Sequence, residues 1–240
     1  MMANQSFPVL GVLIGGVRPL GKRAAPSGIA KAPVAAPLFL RRSGFEGDAQ
    51  GDTVRHGGPE KAVHHYAFDH YAQWKSEIGP RALLDQPGAF GENVSTTGVT
   101  EADVAIGDVF RLGHALLQVS QGRQPCWKLN ERFGDARMAR RVQDSGRTGW
   151  YYRVLEDGVV APGDLLTLVE RTNEDWTIRR VWYHFYVDTM NADALQQIAA
   201  LPALAKGWRD YAAKRLATRA VEDWKSRLEG PIEADHTDRR

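Results

Sequence analysis

Between Val9 and Val169 the apolar residues fall in short runs, many alternating with polar positions, and glycine-containing turns separate the runs. The runs read "VLGVLIGGV", "KAVHHYAF", "DVAIGDVFRLG", "ALLQVSQ", "GWYYRVLEDGVV" and "GDLLTLVE". Successive side chains of a strand point to opposite faces, so runs of this length and composition predict β-strands. "GDVFRLGHALLQVSQ" predicts a hairpin, with Gly113 and His114 in the tight turn, and "DGVVAPGD" predicts a second return. A closed barrel would leave no exposed sheet edges. One helix interrupts the region at "FDHYAQWKSEIG", where Tyr71, Trp74 and Ile78 share a face and Gly79 with Pro80 ends the pattern. A second short helix is expected to begin at Pro125, a residue suited to the first helical position.

After Thr172 the alternation stops and helical spacing replaces it, in "NEDWTIRRVWYHFYV", "NADALQQIAAL" and "LAKGWRDYAAKRLATRAVEDW". Asn173 and Asn191 are expected N-caps, and Leu204, Trp208, Tyr211, Ala212 and Leu216 share one face of the last stretch. The expected organisation is a β-barrel domain over residues 1–172 and a three-helix appendage over residues 173–240, docked outside the functional site. The closing "SRLEGPIEADHTDRR" is polar and is expected to fray. No internal repeat occurs.

Composition narrows the partners. The chain has 240 residues, 43% hydrophobic and 25% charged, as soluble globular proteins do. A net charge of +2 argues against a nucleic-acid partner. No apolar run approaches the length of a membrane span, and the first residues lack a basic start and a cleavage site. No membrane association and a cytoplasmic location are expected.

Three stretches carry candidate chemistry. "SQGRQPCWKLNERFG" holds the only cysteine, Cys126, close to Arg123 and Lys128. One thiol can form neither an intramolecular disulfide nor a four-cysteine zinc site, which leaves small buried filler or chemistry. In the first turn of a helix beside two cations the thiolate would be favoured, and thiolate is the form that attacks electrophiles or binds metal. "GDAQGDTVRHGGPEKAVHHYAFDHY" gathers Asp48, Asp52, His56, Lys61, His64, His65 and His70. If Lys61 to Phe68 is a strand, Lys61, Val63 and His65 share a face, so Lys61 and His65 could meet one ligand. The spacing matches no zinc motif, and histidines on a solvated strand fit it equally. In "GAFGENVSTTGVTEADVAIGD", Gly91, Glu92 and Asn93 form a turn able to offer backbone N–H groups and an amide to an anionic or heterocyclic ligand.

Taken together, "HGGPEKAVHHY", "FGENVSTTGVTEADVAIGDVFRLG" and "GRQPCWKLN" resemble the MOSC domain, named for the C-terminal part of molybdenum cofactor sulfurases. The nearest branch by resemblance is the YiiM-like group, stand-alone bacterial proteins that continue into three helices. The resemblance spans about Val9 to Leu216. It implies a mainly β fold, a MOSC-type β-barrel with a few short helices followed by a small C-terminal three-helix domain. It further implies a molybdenum cofactor (molybdopterin) with Cys126 as the metal ligand. Arg123 would hold the cofactor phosphate, and His56, Lys61, Gly91, Glu92 and Asn93 would line the cofactor site. Lys61 and His65 would act at the reacting centre, the histidine as proton donor. The implied reaction is reduction of small N-hydroxylated compounds such as hydroxylamino purines.

The chain length leaves no room for a pyridoxal-phosphate desulfurase, which argues against sulfurase activity. No flavin or iron–sulfur motif appears, so electrons would come from a separate donor protein. Two alternatives stand beside this reading: a non-catalytic carrier of cofactor or sulfur, and a metal-free enzyme pairing Cys126 with His65.

Overall fold

The alternation closes on itself. A computed structural model describes residues 5–52 and 57–231. Seven strands form its barrel: β1 (Ser6–Ile14), β2 (Val63–Ala67), β3 (Val94–Thr96), β4 (Val109–Leu112), β5 (Ala115–Gly122), β6 (Trp150–Glu156) and β7 (Leu165–Glu170). Their order around the wall is β1, β7, β4, β5, β6, β2, β3 and back to β1. Ser6 to Pro8 of β1 pair with β7, and Val9 to Val12 pair with β3. A register shift between Val9 and Gly11 separates the two halves, and such a bulge bends a strand enough to serve both neighbours. The β4–β5 hairpin turns at Gly113 and His114, with Leu112 opposite Ala115. Every pair is antiparallel except β2–β3. Parallel neighbours need a long crossover, and residues 68–93 supply it, including α1 (Asp69–Ile78), which ends at Gly79 as expected.

The barrel interior is filled rather than hollow. Val63 and His65 of β2, Leu117 and Val119 of β5, and Trp150 and Tyr152 of β6 all point inward and are fully buried. The outer face of β2 is covered too. Tyr66 stacks on Phe90 with ring centroids 4.0 Å apart, and Trp74 of α1 donates its indole N–H to the Tyr66 hydroxyl at 2.7 Å. Two further helices complete this second core, α2 (Lys128–Phe133) and α3 (Met138–Ser145), through Leu129, Phe133, Met138 and Val142.

The C-terminal region contains α4 (Ile178–Tyr186), α5 (Ala192–Ala199), α6 (Lys206–Thr218) and α7 (Lys225–Glu229). Asn191 caps α5 as expected, accepting from the Ala194 N–H at 3.0 Å. At α4 the cap is Thr177, whose hydroxyl accepts from the Arg180 N–H at 3.1 Å, and not Asn173. Asn173 instead donates its amide to the Ile106 carbonyl at 3.0 Å. Phe185, Leu195, Leu204 and Trp208 share one apolar cluster with the barrel interior. The start of the polar tail does not fray within the described residues: α7 buries Leu228, and Asn130 donates to the Leu228 carbonyl at 2.8 Å. No helix among the described residues is long and apolar enough to cross a membrane.

Candidate functional site

The site lies outside the barrel, on the face that β2 and β6 turn away from its core. Tyr151 stands opposite His64 in the β2–β6 register, and both rings point outward with centroids 5.0 Å apart. Against this wall pack the segments 28–31, 49–51, 90–93 and 123–128, enclosing a cavity of about 80 Å³. Its lining brings together Lys31, Lys61, His64, Gly91, Asn93, Arg123, Cys126, Lys128 and Tyr151. Two glycines let the floor form: a Cβ on Gly28 would lie 1.9 Å from the Ala49 carbonyl oxygen, and one on Gly51 would lie 2.2 Å from that of Pro26. Past Lys61, Cys126 and Tyr151 the cavity continues into a cleft of about 1160 Å³. Gly207, Trp208 and Tyr211 of α6, with Ser226 and Arg227 of α7, form part of its wall. The helical appendage therefore borders the site, contrary to its expected place outside it.

Charge is distributed unevenly over the lining. Lys31 forms a buried ion pair with Asp48, whose oxygens also accept from the Gly15 N–H and the Asn93 amide at 2.9 Å each. Asn93 further accepts from the His64 N–H at 3.1 Å, so it ties the loop to β2. Arg123 is 7% exposed, and its backbone N–H donates to the Gly149 carbonyl at 3.0 Å. Its Nη1 is buried with no hydrogen-bond partner. Burial holds His64 well below the ordinary histidine range, and the Arg123 charge adds to that, so the imidazole is neutral. Burial pushes the Tyr151 phenol up and keeps it protonated, against the pull of Arg123. Burial lowers Lys61 from 10.5, while Asp52 and Cys126 act in the opposite sense.

Several sequence expectations need correction. Lys61 belongs to the 3-10 turn Pro59–Lys61, not to a strand, because Pro59 opens that turn and pairing starts only at Val63. Lys61 and His65 consequently share no ligand. His65 is sealed inside the barrel, bonded through Nε2 to Thr96 Oγ1 at 2.8 Å and through Nδ1 to the Tyr152 hydroxyl at 3.0 Å. Its ring lies on Trp150 at 4.2 Å, and burial lowers its pKa to about 3. A proton-donor role for His65 and a Cys126–His65 pair both fail on this placement. Glu92 also turns away from the cavity: its buried carboxylate accepts from the Gly88 N–H at 2.7 Å, the Phe90 N–H at 3.1 Å and the Tyr71 hydroxyl. Its work is to fasten the loop before β3. Cys126 precedes Trp127, the N-cap of α2, and so lies ahead of the helix rather than in its first turn. Cys126, Lys61, Arg123, Gly91 and Asn93 do converge on one cavity; His56 lies outside the described residues.

Tyr151 and Lys31 escaped notice in the sequence, and His64, counted in the histidine cluster, was given no role at the site. Pro59 was the signal for His64, since a turn at Pro59 shifts the strand start to Val63 and leaves His64 facing out with Lys61 nearby. The residues present fit an anionic group with a thiophilic centre. The buried, unpartnered Arg123 Nη1 needs an acceptor, Lys61 adds a second cation, and Cys126 offers one sulfur. Among the described residues no three His, Cys, Asp or Glu side chains are grouped to hold a metal ion, so a metal there would bring its remaining ligands with it.

Comparison with known proteins agrees with this layout. Residues 52–167 match the MOSC domain, and residues 176–219 match the YiiM-like three-helix domain. Protein YiiM of Escherichia coli is 40% identical over 205 residues, spanning 85% of this chain and 91% of that one. The chain belongs to the YiiM-like family of MOSC-domain proteins. The crystal structure of the YiiM protein from E. coli superimposes on this YiiM-like chain with a TM-score of 0.78 at 34% identity, covering 93% of this chain and 99% of the other. A protein of Gibberella moniliformis named "Reductase" is 38% identical over 181 residues, 75% of this chain and 32% of its own length. In the YiiM-like chain described here, β1 and the segments at Gly28 and Lys31 precede the MOSC match, and α7 follows the end of the three-helix match.

Proposed function

We propose that the protein is a molybdenum-dependent reductase of small N-hydroxylated compounds, with the outer-wall cavity as its active site. The convergence of Cys126, Lys61 and Arg123, with Arg123 Nη1 buried and unpartnered, carries this reading. The name of the fungal relative supports the reaction class. The reaction is R–NHOH + 2e⁻ + 2H⁺ → R–NH₂ + H₂O: the N–O bond breaks, nitrogen is reduced, and the oxygen leaves as water. A molybdenum–pterin group bound at Cys126 would supply the two-electron redox centre, refilled by a separate electron-donor protein.

The chain's own residues then have distinct tasks. Arg123 holds the anionic end of the cofactor through a charge-assisted hydrogen bond from Nη1. The Gly28 and Gly51 crossing and the Gly91 turn keep backbone close to the ligand. Lys61 lines both the cavity and the cleft, and a lysine whose pKa is lowered by burial releases its proton more readily than a solvated one. It is assigned the proton that the departing oxygen takes up. Tyr151, protonated throughout, donates a hydrogen bond and no net proton.

Metal and pterin analysis of protein freshly purified from a cofactor-producing host tests the reading, together with turnover of an N-hydroxylated base using an artificial reductant. Stoichiometric molybdenum with turnover is expected. Molybdenum without turnover would establish the carrier reading instead, and absence of both would remove the cofactor assignment.

A further inference from the structure

The segment that carries Cys126 is held by a helix whose Arg227 lies 102 positions beyond Pro125 in the chain. Arg227 of α7 grips both neighbours of the cysteine. Its carbonyl accepts from the Trp127 N–H at 2.8 Å, and its Nη1 donates to the Pro125 carbonyl. Its Nη2 donates to Gln143 Oε1 of α3 at 2.6 Å, which anchors the guanidinium to the second core. Adjacent contacts secure the same clamp. Asn130 of α2 donates to the Leu228 carbonyl at 2.8 Å, Leu228 is buried in the second core, and a Cβ on Gly230 would lie 3.1 Å from the Trp127 ring. Without the Arg227 guanidinium the Pro125 carbonyl would lose the partner it has here, while the Trp127 N–H keeps the backbone carbonyl of position 227, and the loop from Arg123 to Cys126 contains no regular secondary structure of its own to replace the lost bond.

We infer that Arg227 is a positioning residue for Cys126: through the peptide groups on either side it fixes where the sulfur faces the cavity, and α7 is a working part of the site. The inference rests on the proposed function only for why the position of that sulfur matters. A metal ligand must be held within a fraction of an ångström of its productive place, and loops reach that precision only when packing and hydrogen bonds over-determine them. A clamp from a distant helix provides this, and it explains why a polar five-residue helix is bonded to both chain neighbours of Cys126.

The test uses cofactor-free protein, and it is clean because Cys126 is the only cysteine in the chain. The rate of thiol alkylation by iodoacetamide under native conditions reports how often this 7% exposed side chain is reached. Arg227→Ala should raise that rate at least about tenfold, the gain set by loss of one charged hydrogen-bond pair. Arg227→Lys keeps one donor for the Pro125 carbonyl and should fall between. Arg171→Ala breaks an ion pair with buried Asp108 that includes none of the clamp residues Pro125, Trp127, Gln143 and Arg227, so it lowers melting temperature without touching the clamp. It should leave alkylation near the wild-type rate. Alkylation of Arg227→Ala within twofold of wild type, or an equal rise in Arg171→Ala, would overturn the inference. Neither result depends on cofactor or turnover, so the proposed function could stand while the clamp falls, or the reverse.

Discussion

His64 and His65 are neighbours in the chain and occupy opposite sides of one barrel wall, as do Tyr151 and Tyr152 on the strand beside them. Inside, His65 and Tyr152 bond to each other and pack on Trp150 and Phe110, with every polar atom of the histidine ring satisfied. Outside, His64 and Tyr151 line a cavity whose cations are only partly neutralised: Lys31 is matched by Asp48, while Arg123 keeps a buried nitrogen without a partner. The two sides share strands, burial and residue types. They differ in where the open donor lies: Trp150 Nε1 is also without a partner but is sealed in the apolar interior, whereas Arg123 Nη1 is a cationic donor on the lining of a cavity, and that is what separates a binding surface from a core.

Breaking the inner side should cost the fold. Trp150→Ala removes a fully buried indole from the barrel interior and should destabilise by about 3–5 kcal/mol, read by chemical denaturation. Breaking the outer side should cost function with little loss of fold. Lys61→Met should slow turnover about a hundredfold, at the lower end of what a positioned general acid contributes. Because burial lowers Lys61 from 10.5, the wild-type rate should fall on the alkaline side at a pH below that value, and the variant should lose that limb of the profile. Arg123→Met leaves Lys61 and Cys126 in place and removes the phosphate donor. Cofactor content should drop about tenfold or more at unchanged thermal stability, measured by pterin fluorescence after release.

The smallest effect sharpens the contrast between the histidines. The folded pKa of His65 is about 3 against an ordinary 6.5, so its contribution to stability is complete above about pH 6.5 and is lost as pH falls toward 3. Each such group gives a slope of about 1.4 kcal/mol per pH unit in that window, and His64 shifts in the same direction. His65→Gln can keep bonds to Thr96 and Tyr152, and should flatten acid unfolding by one proton without changing the rate or pH dependence of reduction. A slower reduction at full cofactor occupancy would return His65 to the site.

Much of the barrel was legible because alternation is a local property: β5, β6 and the Gly113–His114 turn follow from it directly. The face on which each residue lies was legible only after the strand start was fixed. Reading β2 from Lys61 joined Lys61 to His65, whereas the turn opened by Pro59 makes His64 the neighbour in the cavity. Glu92 in "FGENV" has the composition of a ligand turn, yet its carboxylate is consumed by local N–H groups and Tyr71, a tertiary contact no spacing reveals. The helix α7 was illegible for a different reason. Five residues, "KSRLE", are too few to show a period, and what orders them is a set of bonds to a segment 102 residues earlier.

The central claim is that chemistry occurs at Cys126 on the outer wall, and Cys126→Ser tests it most directly. Serine removes one sulfur and little volume, so the fold and the Arg227 clamp should survive, as circular dichroism and melting temperature would show. A hydroxyl is harder and far less acidic than a thiol, and ligates a thiophilic metal poorly. Reduction of an N-hydroxylated base by Cys126→Ser purified from a cofactor-producing host should be nearly abolished, with molybdenum content reduced and pterin partly retained through Arg123. Wild-type molybdenum content together with wild-type reduction would contradict the account and leave Cys126 a small buried residue of the loop.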